Sequence, residues 1–258
     1  MKSSQEDINN SRTFKKNPIV IIAAMEIEFN FLLDKLENVT FNQISKFKYY
    51  EGEFNKYPVV ICQCYVNTIN ASLATYIAIE KYHPILIINE GTAGSHGKDM
   101  HKSDIVICSK CLNMSSIQTP SKREGEGSNS LEWSIVNFAC DGEDDQIKFQ
   151  IADPKLIKIA QSIEYKNGHI YTGVVSSGDI WNKEIDRILW FNQKFGSLCE
   201  EMECYAVYTV ANNFKIPVIA IKVISNNEII NESFDENVAV HSQEFVYNYI
   251  LTLAKEYL

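Results

Sequence analysis

The feature that most restricts this chain is a set of uninterrupted apolar runs, each closed by small or acidic residues. The runs Pro18 to Ala24, Pro84 to Asn89, Asp104 to Cys108, His169 to Ser176 and Pro217 to Ile224 are rich in β-branched residues. They lack the alternation of a half-wet strand, so each reads as a strand covered on both faces. Helical spacing fills the gaps: Met25 to Leu36, Asn67 to Tyr82, Asp153 to Ile163 with its cap and first-turn proline, Lys183 to Lys194, a buried helix ending at Phe214, and Phe234 to Leu258. Lys46 to Phe54 and Val59 to Tyr65 read as an antiparallel pair. The expectation is an α/β fold on a mixed sheet.

At 258 residues with 45% hydrophobic content, one core and one domain over 18–258 suffice. Residues 1–17 are polar, carry no signal-peptide core and read as a disordered extension to a cytoplasmic protein. A net charge of -9 argues against nucleic acid or an anionic membrane as partner. The seven cysteines are scattered through apolar runs, as reduced thiols are. Cys108 and Cys111 have metal-ligand spacing, but the pair that would complete a site, Cys62 and Cys64, falls on a different predicted strand, so no metal is expected. The polar span near 113–152 is either a functional flap or an insertion with some structure around Leu131 to Phe138.

Chemistry concentrates where strands end. Glu200, Glu201 and Glu203 crowd a strand-to-helix junction, which suits either a solvated first turn or a ligand with several hydroxyl donors. The apolar helix that follows favours a cleft, since a buried helix cannot start in open water. Glu26 and Glu28 follow the first strand at its carboxyl end, where open α/β sheets bind ligands. Gly91-Thr-Ala-Gly94 lets backbone N–H groups approach a ligand, although glycine also simply punctuates strands. Ser177-Gly-Asp-Ile-Trp-Asn182 is either a turn or a backbone hook with a stacking ring. His96, His101 and His241 read as solvated loop residues outside any site.

Ala-Met-Glu-x-Glu28, Asn89-x-Gly-Thr-Ala-Gly94, Ser177-Gly-Asp-x-Trp181, Glu201-Met-Glu203 and Ile224-Ser-Asn226, in this order, resemble the 5'-methylthioadenosine/S-adenosylhomocysteine nucleosidases of the nucleoside phosphorylase superfamily. The likeness runs from Ile19 to about Leu253, apart from the polar span. It implies a three-layer α/β/α sandwich with a mixed, twisted central sheet, a homodimer, no cofactor, and hydrolysis of a purine nucleoside's N-glycosidic bond. By the same resemblance Glu28 accepts a proton from the attacking water and Glu203 holds the ribose hydroxyls, as acceptor-only carboxylates can. Met202, Thr92, Ala93 and Gly94 then lie near sugar and water, Ile180 and Trp181 against the base, and Ser225 beside them, with Glu201 a helper or a structural residue. Neither the first loop nor the Gly-Thr-Ala-Gly loop contains the arginine that a phosphate nucleophile would want.

One departure stands out. Asn226 occupies the position of the family's aspartate, expected to protonate the purine N7; an amide can donate a hydrogen bond there but cannot hand over a proton. Three outcomes stay open: a preference for 6-oxopurine nucleosides, a slowed adenine-nucleoside hydrolase, or nucleoside binding without turnover. Glu228 is a candidate replacement acid, and the loop from Tyr65 to Asn70 lacks the glycine usual there.

Overall fold

The computed structural model describes residues 14, 16–136 and 149–256. The expected disordered extension falls almost wholly outside the described residues, as does part of the polar span. Twelve strands are present among the described residues: β1 (Ile19–Ala23), β2 (Glu37–Ile44), β3 (Phe47–Phe54), β4 (Tyr57–Gln63), β5 (Leu86–Ser95), β6 (Ile105–Asn113), β7 (Ile117–Gln118), β8 (Ser134–Ile135), β9 (Gln150–Ile151), β10 (Ile170–Ser177), β11 (Ser197–Glu201) and β12 (Val218–Asn226). Six α-helices accompany them: α1 (Asn30–Lys35), α2 (Thr68–Tyr82), α3 (Pro154–Gln161), α4 (Ile185–Phe195), α5 (Cys204–Asn213) and α6 (Ala239–Glu256).

The main sheet runs β11-β10-β6-β12-β5-β1-β4-β3-β2, and β11 also pairs with β5. At one end, therefore, the sheet curls round until five strands close on themselves, while β4, β3 and β2 extend it as an open wing. Pairing is mixed: β1 lies parallel to β4 and β5, whereas β3 runs antiparallel to β4 as its sequence predicts.

The apolar runs are explained by what covers them. Ile19, Ile21 and Ala23 of β1 belong to a core layer built with α1, α3 and α6, and Val20 and Ile22 to a layer built with α2 and α5. All five are completely buried. Removing one such side chain costs about 2–5 kcal/mol, so Ile21→Ala alone takes a large share of a typical domain's stability.

Three local differences from the sequence reading have physical reasons. The helix expected over Met25 to Leu36 splits into a 3₁₀ turn at Glu26–Glu28 and the short α1, because the Glu28 side chain turns back onto the backbone of residues 24 and 25. The strand ending at Asn89 continues to Ser95, because β12 and β11 flank and pair its last residues. β2 went unread: it is a polar, exposed strand paired only to β3, without a buried face to impose a pattern. In the polar span, β7 and β8 form a small hairpin, and a 3₁₀ turn covers Ser130–Glu132.

Candidate active site

A cavity of about 290 Å³ opens where β1, β5, β11 and β12 end, and every one of the eleven site residues singled out in the sequence lines it: Glu28, Thr92, Ala93, Gly94, Ile180, Trp181, Glu201, Met202, Glu203, Ser225 and Asn226. Ala24, Met25, Val66, Glu200 and Phe234 complete the wall. Carboxylates distant in sequence, Glu28 and Glu203, thus share one hollow.

Glu28, only 3% exposed, is gripped from both sides. Its Oε2 accepts from the N–H groups of Ala24 (3.1 Å) and Met25 (3.0 Å), and its Oε1 from the Thr92 N–H (2.9 Å) and hydroxyl (3.0 Å). Gly91 is required beneath it. A Cβ there would stand 2.9 Å from Oε1, closer than non-bonded atoms tolerate.

Glu201 and Glu203 stand two residues apart and differ completely. Glu201 caps α5, accepting from the N–H groups of Glu203 (3.0 Å) and Cys204 (2.9 Å), and receives the buried Lys222 ammonium at 2.8 Å. Burial pulls Lys222 down, but the carboxylates of Glu201 and Glu203 more than reverse this and keep it above its ordinary value. Glu203 accepts one backbone N–H, from Asn67 at 3.1 Å. Burial, and then the charges of Glu201 and Glu28, push its carboxyl up to about 8, against the pull of Lys222 and the Asn67 N–H. Asn67 reaches it from a strained backbone, with φ at 100°, and caps α2 with its own side chain.

Across the cavity, a β-bulge at Ser225 shifts the register of β12 against β5 and brings both Ser225 and Asn226 to the rim. The Ser225 hydroxyl lies within reach of the Ala93 carbonyl (3.2 Å) and Asn226 Oδ1 (3.1 Å), while Asn226 Nδ2 donates to Glu228 Oε1 at 3.3 Å. Trp181, 54% exposed, packs edge-on against Phe234 at 5.8 Å between centroids. Asp179 holds this turn in place by accepting from the Thr68 N–H and hydroxyl, both at 2.8 Å.

The reading of histidines as solvated loop residues is corrected for His241, half-buried on α6, and for His96. His96 is buried, with Nδ1 3.0 Å from Ser197 Oγ and Nε2 2.9 Å from Glu200 Oε2, because the strand it follows is drawn into the closed part of the sheet. Glu200 completes the link by accepting from the Asn182 N–H at 2.9 Å. Sequence reasoning passed over Lys222, Val66 and Phe234 as well. Lysine inside an apolar strand, next to a carboxylate-rich junction, was the signal available for the first. The Cys108–Cys111 pair has a third thiol beside it, Cys204, with all three sulfurs within 4.8 Å of one another and fully buried, whereas Cys62 lies on β4 and Cys64 just beyond its end.

The sequence profile described as Phosphorylase superfamily matches residues 18–254. The chain belongs to the phosphorylase superfamily. Within the superfamily it is 27% identical over 245 residues to a 5'-methylthioadenosine/S-adenosylhomocysteine nucleosidase of a Geobacillus species, covering 92% of this chain and 99% of the relative. The nucleosidase of Colwellia psychrerythraea, solved in complex with adenine, superposes with a TM-score of 0.77 at 23% identity over 93% of this chain and 97% of that one. Futalosine hydrolase of Helicobacter pylori superposes with a TM-score of 0.73 at 18% identity, over 91% and 97%. The last two share the superfamily fold, with its mixed sheet between helices.

Proposed function

We propose that the protein is a purine nucleosidase that cleaves the N-glycosidic bond by water attack at C1', with 5'-methylthioadenosine and S-adenosylhomocysteine the first substrates to try. The observation that carries this is the shared cavity of Glu28 and Glu203. Glu28, fixed by four donors, takes a proton from the water as the new C1'–O bond forms and the bond to the base breaks. Glu203 keeps acceptor capacity for the two ribose hydroxyls, and its charge favours the oxocarbenium-like transition state. Met202 lies against the sugar, and Ile180 with Trp181 against the base. Among the described residues no arginine or lysine lines the cavity, and Lys222 is occupied by Glu201, which supports water over phosphate as nucleophile.

A second reading has its own observation. Asn226 presents an amide where an acid would serve adenine, so 6-oxopurine nucleosides are the alternative substrates. Release of free base from both classes, with and without phosphate, is the test. Base released equally in either condition supports hydrolysis; strict phosphate dependence makes the protein a phosphorylase, and tight binding with no release makes it a nucleoside binder.

A homodimer belongs to the same proposal. Ile69, Leu73 and Tyr76 form an exposed apolar stripe on α2, continued by Phe214, whose ring lies tilted against Tyr76 at 5.8 Å. The stripe adjoins Val66, which is exposed and lines the cavity. A second copy on this face would bury it and close the cavity's open side; sedimentation of wild type against Leu73→Glu tests this. The six cysteines among the described residues are free thiols, which supports a cytoplasmic location. No helix among the described residues is long and apolar enough to cross a membrane.

A further inference from the structure

We propose that Cys108, Cys111 and Cys204 form a binding site for trivalent arsenic, taken up as arsenous acid and held by three sulfurs in the core between β6 and α5. The inference stands apart from the nucleosidase reading and needs no nucleoside.

Residues three apart on a regular strand face opposite sides of a sheet, so Cys108 and Cys111 of β6 should be parted. A β-bulge prevents this. Cys108 is paired with Gly173 of β10 and Lys110 with Val174, which leaves Ser109 as an extra residue on β6. Both thiols therefore enter the core layer built with α2 and α5. Cys204 meets them there as the first residue of α5, its own N–H accepted by Glu201 at 2.9 Å. All three are completely buried, and their sulfurs lie within 4.8 Å of one another, with Cys204 Sγ 3.7 Å from Cys108 Sγ. Bonds of about 2.3 Å from one central atom set three sulfurs about 3.5–4 Å apart, so the trio needs only a small contraction to close on a single atom.

The surroundings select the occupant. Zinc bound by three thiolates wants a fourth donor. Two polar side chains beside the trio are already committed: the Tyr208 hydroxyl, one turn along α5 from Cys204, donates to the Cys108 carbonyl at 2.9 Å and accepts from the Ala220 N–H at 2.7 Å, and Glu201 is taken by Lys222 and the start of α5. Cuprous ion accepts three sulfurs, but with three thiolates it leaves two net negative charges in a fully buried place, at a heavy desolvation cost. Trivalent arsenic avoids both difficulties. Each As–OH bond of As(OH)₃ is replaced by an As–S bond, each thiol proton leaves on the departing hydroxide as water, and no oxidation state changes. The product, As(SR)₃, is uncharged and three-coordinate, with a lone pair in its fourth position. Cys204 directly follows Glu203 on the cavity wall, which puts the trio next to an opening that a small neutral acid can enter.

Titration of the full-length, reduced protein with sodium arsenite, read by native mass spectrometry and arsenic X-ray absorption, tests the proposal. One arsenic is expected per chain, with three thiol protons lost in the adduct mass and three sulfurs and no oxygen around the metalloid. Cys111→Ala and Cys204→Ala are each expected to weaken binding at least about tenfold and to leave an oxygen on the arsenic. Cys62→Ala should change the affinity by less than about threefold. No uptake, an arsenic that keeps an oxygen in the wild type, or uptake unchanged in Cys204→Ala overturns the site. Zn(II) or Cu(I) bound through these thiols while arsenite is refused overturns the occupant. The wild-type coordination decides the matter even if a variant does not fold. Failure here leaves the nucleosidase reading intact, and absence of nucleoside cleavage leaves this site intact.

Discussion

Glu28 and Glu203 face the same cavity with the same side chain, yet their surroundings are opposites. Glu28 accepts four hydrogen bonds, about all that a carboxylate can take, three of them from backbone N–H groups that cannot rotate away. Glu203 accepts one and is left short of donors, and its carboxyl is pushed up to about 8 by burial and then by the neighbouring Glu201. The saturated carboxylate is held in position, and the unsaturated one awaits hydroxyls. For Glu28 to receive a proton, one donor must yield, and the Thr92 hydroxyl is the one free to turn. The difference shows how a fold assigns distinct tasks to identical groups by rationing their partners.

Removing either carboxyl tests the contrast most severely. Glu28→Gln is expected to lower kcat by about 10³ or more with little change in KM, whereas Glu203→Gln lowers kcat comparably and also raises KM, as loss of a sugar contact should. Steady-state kinetics separate the two, and identical profiles would erase the division of labour. Asn226→Asp comes next. It supplies the missing acid, and base release from adenine nucleosides should rise about 10² fold; an unchanged rate would show that departure of the base does not limit turnover. Gly91→Ala pushes a methyl against Glu28 Oε1, and a displacement of the order of 1 Å lowers kcat roughly 30- to 100-fold while thermal stability changes far less.

The smallest effect is a pH dependence. Between the ordinary carboxyl value of 4.5 and about 8, folded Glu203 retains a proton that the unfolded chain has released. The free protein therefore loses stability as pH rises through that window, and Glu203→Gln should flatten the decline in denaturant titrations. Nucleoside hydroxyls require the ionised form, so binding at pH 7 should release a proton. Calorimetry in buffers of different ionisation enthalpy measures it.

Much of this was open to a reader of the sequence. The apolar runs named five strands because strands sandwiched between helix layers have no wet face, and the short segments at the ends of four of them, with the Glu201–Glu203 junction, contained every residue first assigned to the site. β2 escaped because a border strand, with Glu37, Thr40 and Gln43 exposed, obeys no burial pattern. The link between Glu200 and His96 escaped for a different reason. Their partnership spans 104 positions and exists because β11 bends round to meet β5. Phe234 and Val66 are ordinary apolar residues, and nothing local says that they wall a cavity.

The closing of β11 between β10 and β5 also governs how this molecule meets others of its kind. A strand bonded along both flanks has no unpaired backbone to lend to a foreign chain. Among the described residues the main sheet offers its free hydrogen-bonding border at β2, where Val39 and Phe41 are exposed between polar neighbours. The longest place for unwanted strand addition among the described residues thus lies on the far wing from the cavity, and growth there would leave the site untouched.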